Sequence, residues 1–395
     1  MRSARRDHSK ASQQPVRSMD EDPALRKIPR HRRILFLSVP YLLVALLIFG
    51  IEAVARCFMP YVPPLDVLID SPSLRQDLAE NKDSPLFAAD PLLFWRVRPR
   101  LREVYWDFTV VSTNAQGLRH DGDIGKKAPD SFRIVCLGDS VTFGFRVPMA
   151  FPNKPHEFDR ALLPYPELAE KKLRQANPDK RIEVIPLAVP SYTTHQGLNW
   201  FKRDVDFLKP DVVTACFGWN DVCLRPIADR QSMPMDFAHF AARAFLIHSQ
   251  AVAHFTKWRH RKRANAETHA GPPVPRVSRD DYVANLLAIS KLARDHGAQS
   301  VLIGQVYRDA KSNPPEAKLV KQYRDALREA ATADGVAYLQ VDELTETNFP
   351  SNDKLFGETI HPNAAGHEVM ANSLLKFLAE RGMLDSLQLP ADLSH

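Results

Sequence analysis

At 395 residues, 44% of them hydrophobic and 25% charged, the chain can build a substantial core and has length for more than one domain. Its formal charge of +6 is confined to the N-terminus: residues 1–33 carry ten Lys or Arg against four acids, and the remainder is formally neutral. The excess belongs to the tail, which argues against a nucleic-acid footprint, since that needs a basic stripe on the fold itself.

The basic tail leads into ILFLSVPYLLVALLIFGI, residues 34–51, without a charge. As a helix this stretch rises roughly 27 Å, close to the hydrocarbon thickness of a bilayer. PRHRR precedes it and Glu52 comes after it, which predicts a transmembrane signal-anchor over 34–55, with 1–33 a cytoplasmic tail and the rest extracytoplasmic. Pro40 would sit near the first turn of the span, where proline does least harm. A cleaved signal peptide is the rival, since Ala53-Val54-Ala55 resembles a cleavage site. Against it, the apolar core is too long and the basic region before it too extended. Arg56 before Cys57, where a small residue is required, argues against a lipoprotein.

Residues 56–131 read as a proline-rich linker and a short N-terminal extension packing on the domain. FWRVRP and REVYWDFTVVSTNAQGLRH give short strands and a turn at Asn114–Gly117. From 132 the texture becomes strand–helix alternation. Strands are predicted at 133–138, 181–188, 211–218, 300–306 and 337–341; helices at 167–177, 196–208, 279–296, 315–333 and 364–381. This pattern predicts an α/β fold, a three-layer α/β/α sandwich on a five-stranded parallel sheet of flavodoxin-like type, over 132–385, with 386–395 a tail. An insertion at about 224–278 holds the amphipathic-looking DFAHFAARAFLIHSQAVAHFTKWRHRKRA and breaks at GPPVPR. Its terminal cations suit a helix C-terminus, with a membrane surface or an anionic glycan as the other reading. Cys136 and Cys216 lie in apolar strands, and no spacing suggests zinc or a disulfide framework, so no metal is predicted.

Chemistry concentrates at strand ends. Ser140 comes directly after the first strand, and a serine hydroxyl needs a base that is itself oriented by a third group. GETIHPNAAGH, residues 357–367, offers Glu358 and His361 three residues apart on a loop, since Pro362 disfavours helix at His361. Glu358 can reach Nδ1 and leave Nε2 for the serine; Asn363 can cap the last helix. FGWND ends the third strand, and the Asn220 amide can serve as an oxyanion donor beside the Ser140 N–H, with a third donor from AVPSYTTHQG, residues 188–197. Alternatives stand at several positions: His367 as the base, Asp353 as the acid or a serine–histidine dyad without one, Asn220 as a loop brace, and Trp219 as pocket or core. Asp221 is expected to order its loop without touching substrate. Gly138-Asp139-Ser140 is no Gly-x-Ser-x-Gly elbow, and GDSVTFG is neither a P-loop nor a dinucleotide fingerprint, so no cofactor is predicted.

Gly138-Asp139-Ser140 with Thr142 and Gly144, Gly218-x-Asn220-Asp221, and His361-Pro362-Asn363 together resemble the SGNH (GDSL-type) hydrolase superfamily over about 132–382. The resemblance implies a serine esterase in which Ser140 is the nucleophile, His361 the base and Glu358 the orienting acid, with Ser140, Ser191 and Asn220 as the oxyanion hole. Two positions depart from the family pattern. Ser191 stands where the family usually has an oxyanion-hole glycine, Gly197 being the fallback, and Glu358 stands where it usually has aspartate. An O-acyltransferase on cell-envelope polysaccharide is the second reading, and a non-catalytic glycan-binding or scaffold protein the third. The expected partners are an ester substrate (a small molecule, lipid or acylated glycan) and a membrane, with no nucleic acid.

Overall fold

The computed structural model describes residues 29–64, 68 and 86–391, apart from 108, 148, 152–153, 160, 226, 233–236, 267–271, 308–314, 345–353 and 359. The chain divides into one unit ending at Tyr61 and a second running from Val62. In the first unit, Arg30–Phe58 is a helix of 29 residues, and Ile34–Phe58 is long and apolar enough to cross a membrane. Leu35, Phe36, Leu46 and Phe49 are all exposed. Because the helix starts at Arg30, Pro40 falls inside it rather than near its first turn, a position that membrane helices tolerate.

The second unit is built on β1 (Ser131–Gly138), β2 (Arg181–Ala188), β3 (Val212–Cys216), β4 (Gln299–Ile303) and β5 (Ala337–Leu339). They form one sheet in the order β5-β4-β3-β1-β2, every pair parallel, which is the flavodoxin-like order. On the central strand β1, Ile134 pairs with Val184 on one side and Val212 on the other. Burial on both faces explains its unbroken apolar run.

Successive side chains of each strand feed different cores. Val135 and Leu137 join Leu198 and Phe201 of α2 (Thr194–Leu208), Leu286 of α3 (Arg279–Asp295) and Leu327 of α4 (Pro315–Ala333). Ile134 and Cys136 join Ala169 and Leu173 of α1 (Tyr165–Ala176) and Leu374 of α5 (Ala364–Glu380). Helices thus cover both faces.

The stretch before β1 belongs to the same body. Hairpins Phe87–Asp90/Phe94–Val97 and Val104–Trp106/Thr109–Val111 place Trp95, Val97 and Trp106 in the first core. The turn at Asn114–Gly117 closes with the Gly117 N–H on the Asn114 carbonyl at 3.1 Å, and Gly117 takes φ 79°. The insertion is necked by a short hairpin, Leu224–Arg225 with Val274–Pro275. Its amphipathic-looking run is two helices, Phe237–Leu246 and Gln250–Ala266, the second beginning after Ser249, whose hydroxyl accepts from the Val252 N–H at 3.2 Å. β3 ends at Cys216, two residues early, where the chain turns through Gly218 at φ 154°.

Candidate active site

The chain leaves β1 toward β2 on one side of the sheet and leaves β3 toward β4 on the other, so a crevice opens between the carboxyl ends of β1 and β3. Ser140 lies just past β1 and Asn220 just past β3, at the two lips of that crevice. At Gly138 a Cβ would lie 1.9 Å from Thr142 Oγ1 and 3.0 Å from the Cys216 carbonyl, so only glycine lets the chain turn at once into Ser140–Phe143. Asp139 caps this turn, its Oδ1 accepting from the Val141 N–H at 2.9 Å, and Gly144 closes it in the left-handed region at φ 76°.

His361 reaches this turn from 221 residues away, with Nε2 2.8 Å from Ser140 Oγ. Glu358 Oε1 bonds Nδ1 of the same ring. With that carboxylate accepting the Nδ1 proton, Nε2 is left to accept from the serine hydroxyl. The loop closes on itself: the Gly357 N–H donates to the His361 carbonyl at 3.0 Å and the Asn363 N–H to the Leu355 carbonyl at 2.9 Å. Asn363 Oδ1 accepts from the Gly366 N–H at 3.0 Å, capping α5. The Phe145 ring lies 4.5 Å from the imidazole, which is buried. Burial works to raise the Glu358 carboxyl, but the hydrogen bond and charge of His361, aided by Arg146, outweigh it and hold it below the ordinary range.

Asn220 Nδ2 donates to Asp139 Oδ2 at 3.3 Å, which sets the carboxamide beside the Ser140 turn. Burial pushes the Asp139 carboxyl up to about 7, against the hydrogen bonds of the Val141 N–H and Asn220. Ser191, after β2, has φ 67° and presents its carbonyl to Arg276 at 2.8 Å. Its left-handed backbone is the conformation that glycine adopts most readily.

The fallback and rival residues are otherwise engaged. The Gly197 N–H donates to the Thr193 carbonyl at 3.0 Å within α2, and a Cβ there would meet Phe217 Cζ at 2.5 Å, so this glycine serves helix–sheet packing. His367 is fully buried, its Nδ1 accepts from the Tyr165 N–H at 3.2 Å, and burial pushes its ring down to about 3, which keeps it neutral. Asp353 lies outside the described residues. Asp221 Oδ1 accepts from both the N–H and the hydroxyl of Thr194, at 3.0 and 2.6 Å, tying the β3 turn to the start of α2. The Trp219 ring packs 6.4 Å from that of Tyr307.

Two arginines at the site were not legible in the sequence. Arg119, buried, donates from Nη1 to the carbonyls of Phe143 and Gly144 at 3.0 and 2.7 Å, and from Nη2 to Val147 at 2.6 Å. Arg276 serves the Ser191 loop. Neither stands at a spacing from a site motif that would mark it. Among the described residues no group of three or more His, Cys, Asp or Glu is arranged to hold a metal ion.

Among solved structures, LAE5, an alpha/beta hydrolase enzyme from the metagenome of Lake Arreo, Spain, is 20% identical, with a TM-score of 0.41 over 66% of this chain and 98% of its own. Axe2, an acetylxylan esterase from Geobacillus stearothermophilus, is 17% identical, with a TM-score of 0.39 over 65% of this chain and 95% of its own. A search of curated proteins finds no match. The GDSL-like lipase/acylhydrolase family matches residues 136–369, more than half of the chain and the whole span from the Ser140 turn to the His361 loop; the chain therefore belongs to that family and is an ester-bond hydrolase.

Proposed function

We propose that the chain is a membrane-anchored serine esterase that works through an acyl-enzyme on Ser140. The observation that carries this reading is the 2.8 Å hydrogen bond between His361 Nε2 and Ser140 Oγ, with Glu358 on the far side of the ring. Ser140 Oγ attacks the ester carbonyl as its proton passes to His361 Nε2. The carbonyl oxygen becomes an oxyanion, held by the backbone N–H groups of Ser140 and Ser191 and by Asn220 Nδ2. His361 then gives its proton to the departing alkoxide, which leaves as the alcohol. Water attacks the acyl-serine, His361 takes the water's proton and returns it to Ser140 Oγ, and a carboxylic acid is released.

Glu358 keeps the ring in one tautomer and offsets the positive charge that develops on it. The apolar helix Ile34–Phe58 is the anchor, and the charge of residues 1–33 favours a cytoplasmic N-terminus and an extracytoplasmic domain. Acyl or acetyl groups on envelope carbohydrate or lipid are the substrate class this placement favours. The test is ester release by the full-length protein from short-chain, long-chain and acetylated-sugar substrates, wild type against Ser140→Ala. The substitution is expected to lower turnover by about 10⁵-fold or more. Turnover that survives it would end the mechanism, and product esters that grow with an added sugar alcohol would assign transfer in place of hydrolysis.

A further inference from the structure

A serine at φ 67° needs something to hold it, because side chains other than glycine visit the left-handed region only where the surroundings impose it. At Ser191 the Tyr192 N–H closes a turn on the Val189 carbonyl at 3.2 Å, Trp95 Nε1 donates to the Pro190 carbonyl at 3.3 Å, and one buried guanidinium takes the carbonyl of Ser191 itself. Arg276 Nη1 donates to the Ser191 carbonyl at 2.8 Å. Its other nitrogens are fixed in turn: Nε and Nη2 donate to the two Asp229 oxygens at 3.2 and 3.0 Å, and Nη2 also to Gln196 Oε1 at 3.2 Å. Asp229 accepts from the Thr193 hydroxyl at 2.9 Å, and its N–H donates to the Arg276 carbonyl at 2.7 Å. The planar fork is thus seated before any substrate arrives.

The main chain of Arg276 is tied elsewhere. Its N–H donates to the Cys223 carbonyl at 2.9 Å, and the Val277 N–H donates to the Asp221 carbonyl at 3.0 Å. Those carbonyls belong to the segment that begins with Asn220. One residue therefore joins the turn carrying Asn220 to the loop carrying Ser191, and both Arg276 and Asp229 come from the ends of the insertion. We infer that Arg276, seated on Asp229, is a positioning residue that holds Ser191 in its left-handed conformation and so aims the two donors after β2 and β3 at one point. The inference rests on the oxyanion role proposed above for Ser191 and Asn220, and it gives the insertion's neck a part in turnover.

A double-substitution cycle on the full-length protein tests it. Arg276→Met is expected to lower kcat by roughly 10- to 100-fold, the range for disturbing one oxyanion donor, with KM within about threefold. In a Ser191→Gly background the same substitution is expected to lower kcat less than about threefold, since glycine takes φ above zero unaided. Equal losses in both backgrounds would overturn the inference. Should Arg276→Met not fold, Asp229→Asn, which loosens the fork and leaves it in place, goes through the same cycle. If that variant also fails to fold, or shows no coupling to Ser191→Gly, Arg276 supports the domain and not the loop, and the inference falls. Ser140→Ala in the same assay keeps the two readings apart. Residual turnover there removes the triad, whereas an inactive Ser140→Ala with an uncoupled cycle removes only the role of Arg276.

Discussion

The turn that carries Ser140 is set into the interior, whereas the loop that carries His361 and Glu358 closes on its own backbone. Val141, Thr142 and Phe143 are buried, and Arg119 donates to three carbonyls at or just beyond the turn. On the other side, the described loop is joined by the Phe356–Pro362 bridge and the Gly357–His361 and Asn363–Leu355 hydrogen bonds, and the Glu358 side chain is 33% exposed. Ser140 thus has a fixed position, and His361 is brought to it by a small closed loop pinned to the start of α5. Fixed backbone surrounds Ser140, while the carboxylate behind the buried imidazole is partly open to solvent.

That contrast can be broken by substitution. His361→Ala is expected to lower kcat by about 10⁵-fold and, because the imidazole is buried against Phe145 and bonded to Glu358, to cost about 1–3 kcal/mol in urea denaturation. A loss under roughly 100-fold would mean that another group takes the proton. Glu358→Gln is expected to lower kcat by about 10²- to 10³-fold. The carboxyl lies below its ordinary range in the fold, so the small stability it lends is present above about pH 4.3 and lost as pH falls through the lowered value. If the unfolding midpoint of Glu358→Gln still tracks the wild-type acid limb, other carboxylates are the source of that limb.

Arg119→Met acts on the opposite side. It strands the carbonyls of Phe143 and Val147, leaves that of Gly144 with the Val147 N–H alone, and removes the partner that Glu167 faces at 3.6 Å. A stability loss of about 3 kcal/mol is expected from urea denaturation. Stability within roughly 0.5 kcal/mol of wild type, which is what an inert surface change gives, would deny Arg119 its bracing role. The smallest effect belongs to His367→Gln. With its folded value near 3 and an unfolded value of about 6.5, His367 makes the native state lose stability as pH falls below about 6.5. Between pH 8 and pH 5 this amounts to about 2 kcal/mol, and the glutamine variant should show a correspondingly shallower acid decline. An unchanged decline would place the acid sensitivity elsewhere.

How much of this the sequence carried depends on whether a signal was local. β2 runs over Arg181–Ala188, as its apolar run indicates, and α4 over Pro315–Ala333, because strand and helix periods are written in neighbouring residues. The three site blocks were readable because each sits where a buried strand stops or a helix begins. Arg119 and Arg276 were not, since a buried guanidinium takes its meaning from carbonyls 24 and 85 residues away. The two short hairpins in the stretch before β1 were readable in part through FWRVRP and the Asn114–Gly117 turn. That Trp95 shares a core with Leu137 depends on contacts with no sequence period.

The 221-position separation of Ser140 and His361 also sets a schedule. At a synthesis rate of about 5–20 residues per second, the hydroxyl precedes its imidazole by roughly 10–45 s. Throughout that interval the nascent polypeptide holds an ordinary alcohol, inert toward the esters around it. Under the proposed mechanism, reactivity waits until synthesis has passed His361 and its loop has closed beside the Ser140 turn.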